Sequence, residues 1–127
     1  MTYLSDARAQ LDKAREFLES ARDGYDFDRF NAAASSAVIS GINSKDAICL
    51  RTTGKTGKTE NHNEAVRELA KSGPDGASLE ATFRRLLALK PKSQYQAASV
   101  SAPSARDAVN RAQKMYDVAV AVVSRPG

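Results

Sequence analysis

The start of the chain carries its plainest signal. Leu4, Ala7, Leu11, Ala14, Leu18 and Ala21 recur at alternating steps of three and four, a single apolar seam at helical period that Phe17 widens. Asp6, Asp12, Lys13, Arg15, Glu16 and Glu19 occupy the remaining, solvated face. The pattern predicts a first helix over Ser5–Asp23, capped by Ser5 and stopped by Gly24. A second stripe, Phe30, Ala33, Ala34, Ala37, Val38, Gly41, Ile42, Ala47, Ile48 and Cys49, predicts one long helix to about Leu50, bent near Gly41–Asn43 or, as the alternative, broken there into two, with Asp26 or Asp28 as its cap. Gly41 costs about 1 kcal/mol relative to Ala inside a helix, so a packing reason is expected for it. With Ala33, Ala34 and Ala37 it makes a smooth surface on which another helix can lie close.

Residues 51–61, RTTGKTGKTEN, contain two Gly, four Thr and no apolar side chain, and read as a loop. Asn61 and Glu64 have capping-box spacing and open a short third helix that turns Ala65, Val66, Leu69 and Ala70 inward and closes at Gly73-Pro74. Ser78 is placed to cap a fourth, SLEATFRRLLALK, with Leu79, Phe83, Leu86 and Leu87 facing the core and Pro91 at its end. Residues 90–100 form a polar connection. Ser101 then caps a last helix over Ala102–Val123, with Pro103 in its first turn and Ala105, Val109, Ala112, Tyr116, Val120 and Val123 as its seam. No segment has the alternation of a strand. The expected fold is all-α, an up-and-down antiparallel bundle of four to five helices in one domain over residues 1–127, with 1–3 and 124–127 frayed.

Composition narrows the chemistry. With 42% apolar and 27% charged residues, no Trp, four Phe and four Tyr, the chain builds its core from Ala, Leu, Val and Ile. That favours close helix contacts over a large ligand cavity. No apolar run approaches the ~18–20 residues that span a bilayer, and MTYLSDARAQ lacks the apolar stretch of a signal peptide. No membrane association and a cytoplasmic location are expected. The lone Cys49, set in the apolar run AICL, excludes an intramolecular disulfide and reads as a buried thiol. Charge is unevenly spread: residues 1–50 hold six Lys/Arg against eight Asp/Glu, whereas residues 51–127 hold thirteen against seven. The second part fits either an anionic partner or simply an unevenly solvated surface.

GKTGKT in the 51–61 loop superficially resembles a phosphate-binding P-loop. Gly54 and Gly57 stand too close for G-x-x-x-x-G-K-[ST], and the preceding segment reads as helix where that motif needs a strand. Arg51, Lys55 and Lys58 remain candidates for phosphate contact from a flexible basic loop. His62, the only histidine, falls in the first turn of the third helix, and one His with one Cys makes no zinc site. No metal, cofactor or catalytic residue is expected. Arg84, Arg85, Lys90 and Lys92 run on without an intervening acid and Tyr95 follows, a combination suited to phosphate contact plus base stacking, or else a solvated helix face with Tyr95 plugging the end of the bundle.

The order of these segments resembles the HEPN family. The likeness rests on two long N-terminal helices, the second small-residue rich (FNAAASSAVISGINSKDAICL), then NHNEAVREL, LLALKPKSQYQ and a final Ala-rich helix opening on Ser-x-x-x-Ala. It covers roughly residues 4–123. It implies a helical bundle, homodimers, and RNA- or nucleotide-related roles in toxin–antitoxin, antiviral and nucleotidyltransferase-partner systems. A nucleotidyltransferase or antitoxin protein is thus an implied partner. The family's ribonucleases carry Arg-x(4–6)-His near the last helical segment. In that place stands Lys90-Pro-Lys-Ser-Gln-Tyr95, so Lys replaces the Arg and Tyr the His. Tyrosine, with an ordinary pKa near ~10, is a poor general acid–base group at neutral pH. The expected function is a non-catalytic module binding RNA, a nucleotide or a protein. The alternative is a divergent ribonuclease using Lys90, Lys92, Tyr95 or His62. A homodimer is further expected from the smooth second helix and the apolar last one.

Overall fold

Small side chains set how the long helices meet. In a computed structural model that describes residues 2–57, 61–91 and 97–126, Ala7, Ala14, Leu18 and Ala21 of α1 (Thr2–Asp26) are buried where α1 packs on α2 (Phe30–Thr53). Across that contact the buried Ser40 hydroxyl donates to the Ala14 carbonyl at 2.7 Å. A third long helix, α6 (Ala102–Ser124), packs on both. Ala7, Ala47 and Val123 cluster at one end of this trio, while Tyr25 and Arg106 meet at the other. Hence α1 and α2 form an antiparallel hairpin, and α6 runs against α1 and along α2.

Among the described residues, three short helices lie on the return from α2 to α6: α3 (His62–Lys71), α4 (Pro74–Ser78) and α5 (Glu80–Leu87). The first and last form a hairpin, with Asn63 at the start of α3 reaching Arg84 towards the end of α5. Val66, Leu69, Leu79, Phe83, Leu86 and Leu87 enter the same core as α2 and α6. Every described element is helical, as the periodicity predicts. The described residues hold six helices, because α4 arises where Gly73-Pro74 reads only as a stop. Proline at the first position of α4 opens a helix as readily as it ends one.

Several ends differ from the expectation for physical reasons. α1 starts at Thr2, leaving Ser5 inside the helix, and continues past Gly24. A Cβ on Gly24 would stand 3.3 Å from the Ala33 backbone, so this glycine serves the closeness of the hairpin. The stop lies at Asp28, which adopts φ 60°. There the Arg29 N–H donates to the Gly24 carbonyl at 2.7 Å and the Asp28 N–H to the Tyr25 carbonyl at 3.1 Å, the paired bonds of a Schellman end. Neither Asp26 nor Asp28 caps α2; Arg29 stands at that position without a side-chain bond. Ser78 donates to the Asp75 carbonyl instead of capping α5, and α5 ends at Leu87, short of Pro91. The caps at Asn61 and Ser101 form, each side chain accepting at 3.2 Å from the N–H of Glu64 and Ser104 respectively.

The core explains Gly41. α2 passes through it unbroken, and a Cβ there would collide with the Leu86 side chain and touch Met115. Ala33, Ala34, Ala37 and Gly41 are all buried within the chain, so the smooth surface is occupied by its own helices and not left for a second copy. The α6 seam is rotated from the expected one. Ala108, Met115, Ala119 and Val122 join the core, and Tyr116 and Val120 sit half-buried at its margin, since α6 must fill space against both α1 and α2.

Candidate functional site

One lysine breaks the apolar register of α2. Stepping along the helix from Val38 and Gly41, the next inward positions are Ser44 and Lys45, and the lysine side chain is only 2% exposed. Its ammonium donates to Glu68 of α3, to Asp46 Oδ1 at 3.2 Å and to Thr56 Oγ1 at 2.8 Å. The Thr56 hydroxyl donates in turn to Asp46 at 2.6 Å. The Gly57 N–H points at both Glu68 oxygens, 2.8 and 3.0 Å away. Burial opposes the charge on Lys45, yet the hydrogen bond to Glu68 and the negative charge of Asp46 outweigh it and hold its pKa above the ordinary range. Burial likewise opposes charge on Glu68, and the bonds from Lys45 and Gly57 hold its pKa below the usual carboxylate range. The clamp thus stays ionised while tying α2, the following loop and α3 together.

The clamp fixes what the loop presents. α2 ends on Gly54, whose φ of 76° lets its N–H cap the Leu50 carbonyl at 3.1 Å. The loop then projects Lys55 into solvent before Thr56 and Gly57 return to Glu68. Lys55, Thr56, Glu68, Lys71 and Ser72 border a cavity of about 360 Å³. Next to it, Asn63, Arg67, Lys71, Glu80 and Arg84 border a second of about 290 Å³ between α3 and α5. A third, about 350 Å³, is lined by Ala77, Ser78, Glu80, Arg84 and Arg85. Arg84 donates to Glu80 at 3.3 Å and to Asn63 at 3.4 Å.

The candidates read from the sequence fall into separate groups. Lys55 and Arg84 share one face with Arg67, Lys71 and Arg85. Arg51 leaves that group: it donates to the Arg125 carbonyl at 2.7 Å beside the end of α6, with its Nε buried and without a partner among the described residues. His62 is the half-buried first residue of α3, and Lys90 follows α5, also half-buried. Lys58, Lys92 and Tyr95 lie outside the described residues. Sequence reasoning missed Arg67 and Lys71, one helical turn apart on α3, because alternation with Glu64 and Glu68 hid them. It also missed the clamp, although a lysine in register with Val38 and Gly41 was the signal that could have found it.

The chemistry available here is charge and hydrogen bonding. Cys49 lies under α3, its thiol 4.0 Å from the Glu68 carbonyl, and burial pushes its pKa up to about 11, so it is a protonated, unreactive thiol at neutral pH. Among the described residues no cluster of three His, Cys, Asp or Glu is placed to hold a metal ion, and no helix is long and apolar enough to cross a membrane. The opposite end of the bundle offers a contrast. There the Arg106 guanidinium sits 5.7 Å from the Tyr25 ring centre and donates to its hydroxyl at 2.9 Å. Tyr25 packs against Phe30 with ring centres 5.8 Å apart, and Phe27 is 72% exposed. Asp23, Asp26 and Asp28 balance Arg22, Arg29 and Arg106 at that corner.

Comparison with known families matches residues 7–123 to the model described as the HEPN domain. No curated protein matches the chain.

Proposed function

Because this chain belongs to the HEPN family, we propose that it acts as a non-catalytic module whose basic α3–α5 layer binds RNA or a nucleotide, with a protein partner of the nucleotidyltransferase or antitoxin kind in a toxin–antitoxin or defence setting. The observation that carries the reading is the gathering of Lys55, Arg67, Lys71, Arg84 and Arg85 on one face, away from the balanced charges of the α1–α2 corner. The replacement of the family's Arg and His by Lys90 and Tyr95 supports binding without cleavage. Purified protein incubated with single-stranded RNA is expected to leave it intact, with or without added metal, while retaining it in a salt-sensitive complex. Cleavage abolished by His62→Ala or Tyr95→Phe in a folded protein would replace this reading with the ribonuclease. Failure to bind RNA or nucleotide at low salt would leave protein partnership as the function.

A homodimer belongs to the same reading. Its support is the family together with the outer face of α2, where Ile39 and Asn43 are half-buried and the Asn43 amide nitrogen is buried without a partner among the described residues. Sedimentation at micromolar concentration is expected to show twice the 13.6 kDa chain mass, and a purely monomeric species removes the claim.

A further inference from the structure

The three cavities over α3 and α5 are linked by the side chains that divide them. Lys71 borders both the first and the second, and Glu80 and Arg84 border both the second and the third. Together they form one groove running from Lys55 to Arg85. We infer that this groove holds the backbone of a single nucleic-acid strand, gripped at successive phosphates with little preference among bases; the inference rests on the binding reading above and gives it a site.

The charge balance along the groove is one-sided. The Glu80 carboxylate is engaged by Arg84. Glu68 is engaged by Lys45 and by the Gly57 N–H. Among the described residues Lys55, Arg67, Lys71 and Arg85 make no ion pair, so the lining presents cations whose counter-charge must come from outside. Arg67 and Lys71 are one turn apart on α3, about 6 Å of helix rise. That step is comparable with the one between neighbouring phosphates on an extended strand. Asn63 adds a polar group between the cations, itself already turned towards Arg84.

Shape and lining chemistry select among polyphosphates. A duplex is a stiff rod with phosphates on its outside, and it cannot enter three recesses in succession; a single strand bends from one to the next. A mononucleotide occupies one recess and leaves the cations of the others unmatched. None of the described residues lining the three cavities is aromatic, so base stacking, the usual source of base-dependent affinity on such surfaces, has no platform among them. Phosphate contact remains, and phosphate contact is indifferent to sequence.

The test is fluorescence anisotropy on the full chain with labelled oligouridylate, oligoadenylate and oligothymidylate of about 12 nucleotides, a length within the usual range of single-strand sites. Affinities are expected to agree within a few-fold, to exceed those for a duplex of the same length, and to fall with salt on a log–log slope of about −3, as for four phosphates on a single strand. Arg67→Glu with Lys71→Glu should weaken binding at least tenfold, and Arg67→Ala with Lys71→Ala should flatten the slope by about 1.4. The swap Arg67→Lys with Lys71→Arg should restore near-normal affinity, showing that the loss is of charge and not of folding. Arg22→Glu with Arg29→Glu makes the same change in net charge at the α1–α2 corner and should leave affinity within about twofold, because exposed charges beyond a Debye length are screened. Wild-type binding that is untouched by the Arg67 and Lys71 variants, or lost equally in the corner variants, overturns the groove while the binding function stands. Absence of binding by the wild type overturns both.

Discussion

The helices α1, α2 and α6 and the layer α3–α5 share one apolar core but are held to it by different means. The long trio meets through Ala7, Ala14, Ala33, Ala37, Ala47 and Ala119, all completely buried, over helices of more than twenty residues. The layer consists of helices of ten, five and eight residues, too short to be stable alone. Its apolar face covers the core, while its loop and α3 are tied to α2 by ionised groups. The difference teaches how one small domain separates two tasks. Close-packed small residues give a rigid frame in which little can be varied. A polar clamp at the edge of that frame fixes a loop and a short helix, leaving their outer surfaces free to carry charge.

The comparison is most sharply broken or upheld at Lys45. Lys45→Ala removes a buried cation and its packed stem, leaving Asp46 and Glu68 without their partner. Breaking a fully buried pair costs about 3–5 kcal/mol; Glu68 is about one-third exposed, so the expected loss is nearer 2–3 kcal/mol. Native-state hydrogen exchange should place the lost protection in residues 62–87 while α1 and α6 stay protected, and a uniform loss across all helices would dissolve the distinction. In the frame, Gly41→Val drives a branched side chain into Leu86 and Met115 and should cost about 1–3 kcal/mol in urea unfolding, spread over the whole molecule.

The pH dependence sharpens the same contrast. Glu68 has a lowered folded pKa, so its contribution is present above the unfolded value of about 4.3 and is lost as pH falls through the folded one. Lys45 has a raised folded pKa, so its contribution is complete below about 10.4 and is lost only as pH rises through the folded value. The gap in melting temperature between the wild type and Glu68→Gln should therefore be level from about pH 5 to 10 and close below about pH 4. A gap that persists into acid would mean that the carboxylate charge is not what holds the loop. The smallest effect belongs to the α1–α2 turn. Asp28→Gly relieves a positive φ and should raise stability by at most about 1 kcal/mol, as measured by the urea midpoint.

The frame was legible in the sequence because period and burial agree in it. The α1 seam and the α2 stripe identified the buried apolar residues, since a long helix packed along its length imposes one face throughout, but the buried polar Ser40, Ser44 and Lys45 of α2 stood outside the stripe. The α6 seam was off by a small rotation, because valines and alanines surround that helix and several stripes satisfy the same period. The site was less legible. Caps at Asn61 and Ser101 could be read from local chemistry alone, but α4 is a product of where Asp75 and Gly76 sit against their neighbours. The joining of Lys55 to Lys71 depends on a contact between Glu68 and Gly57 that no spacing announces. Arg51, one residue beyond Leu50 and apparently part of the same basic loop, still belongs to the last turn of α2 and faces the end of α6.

Cys49 turns this arrangement into its own reporter. It is the sole thiol of the chain, fully buried, protonated at neutral pH, and roofed by α3 through the backbone of the very residue that anchors the clamp. A thiol-reactive dye cannot reach it while α3 is seated. The rate of labelling in native buffer therefore counts the moments at which α3 lifts from α2, and a strand lying across the outside of α3 should slow that count without touching the sulfur.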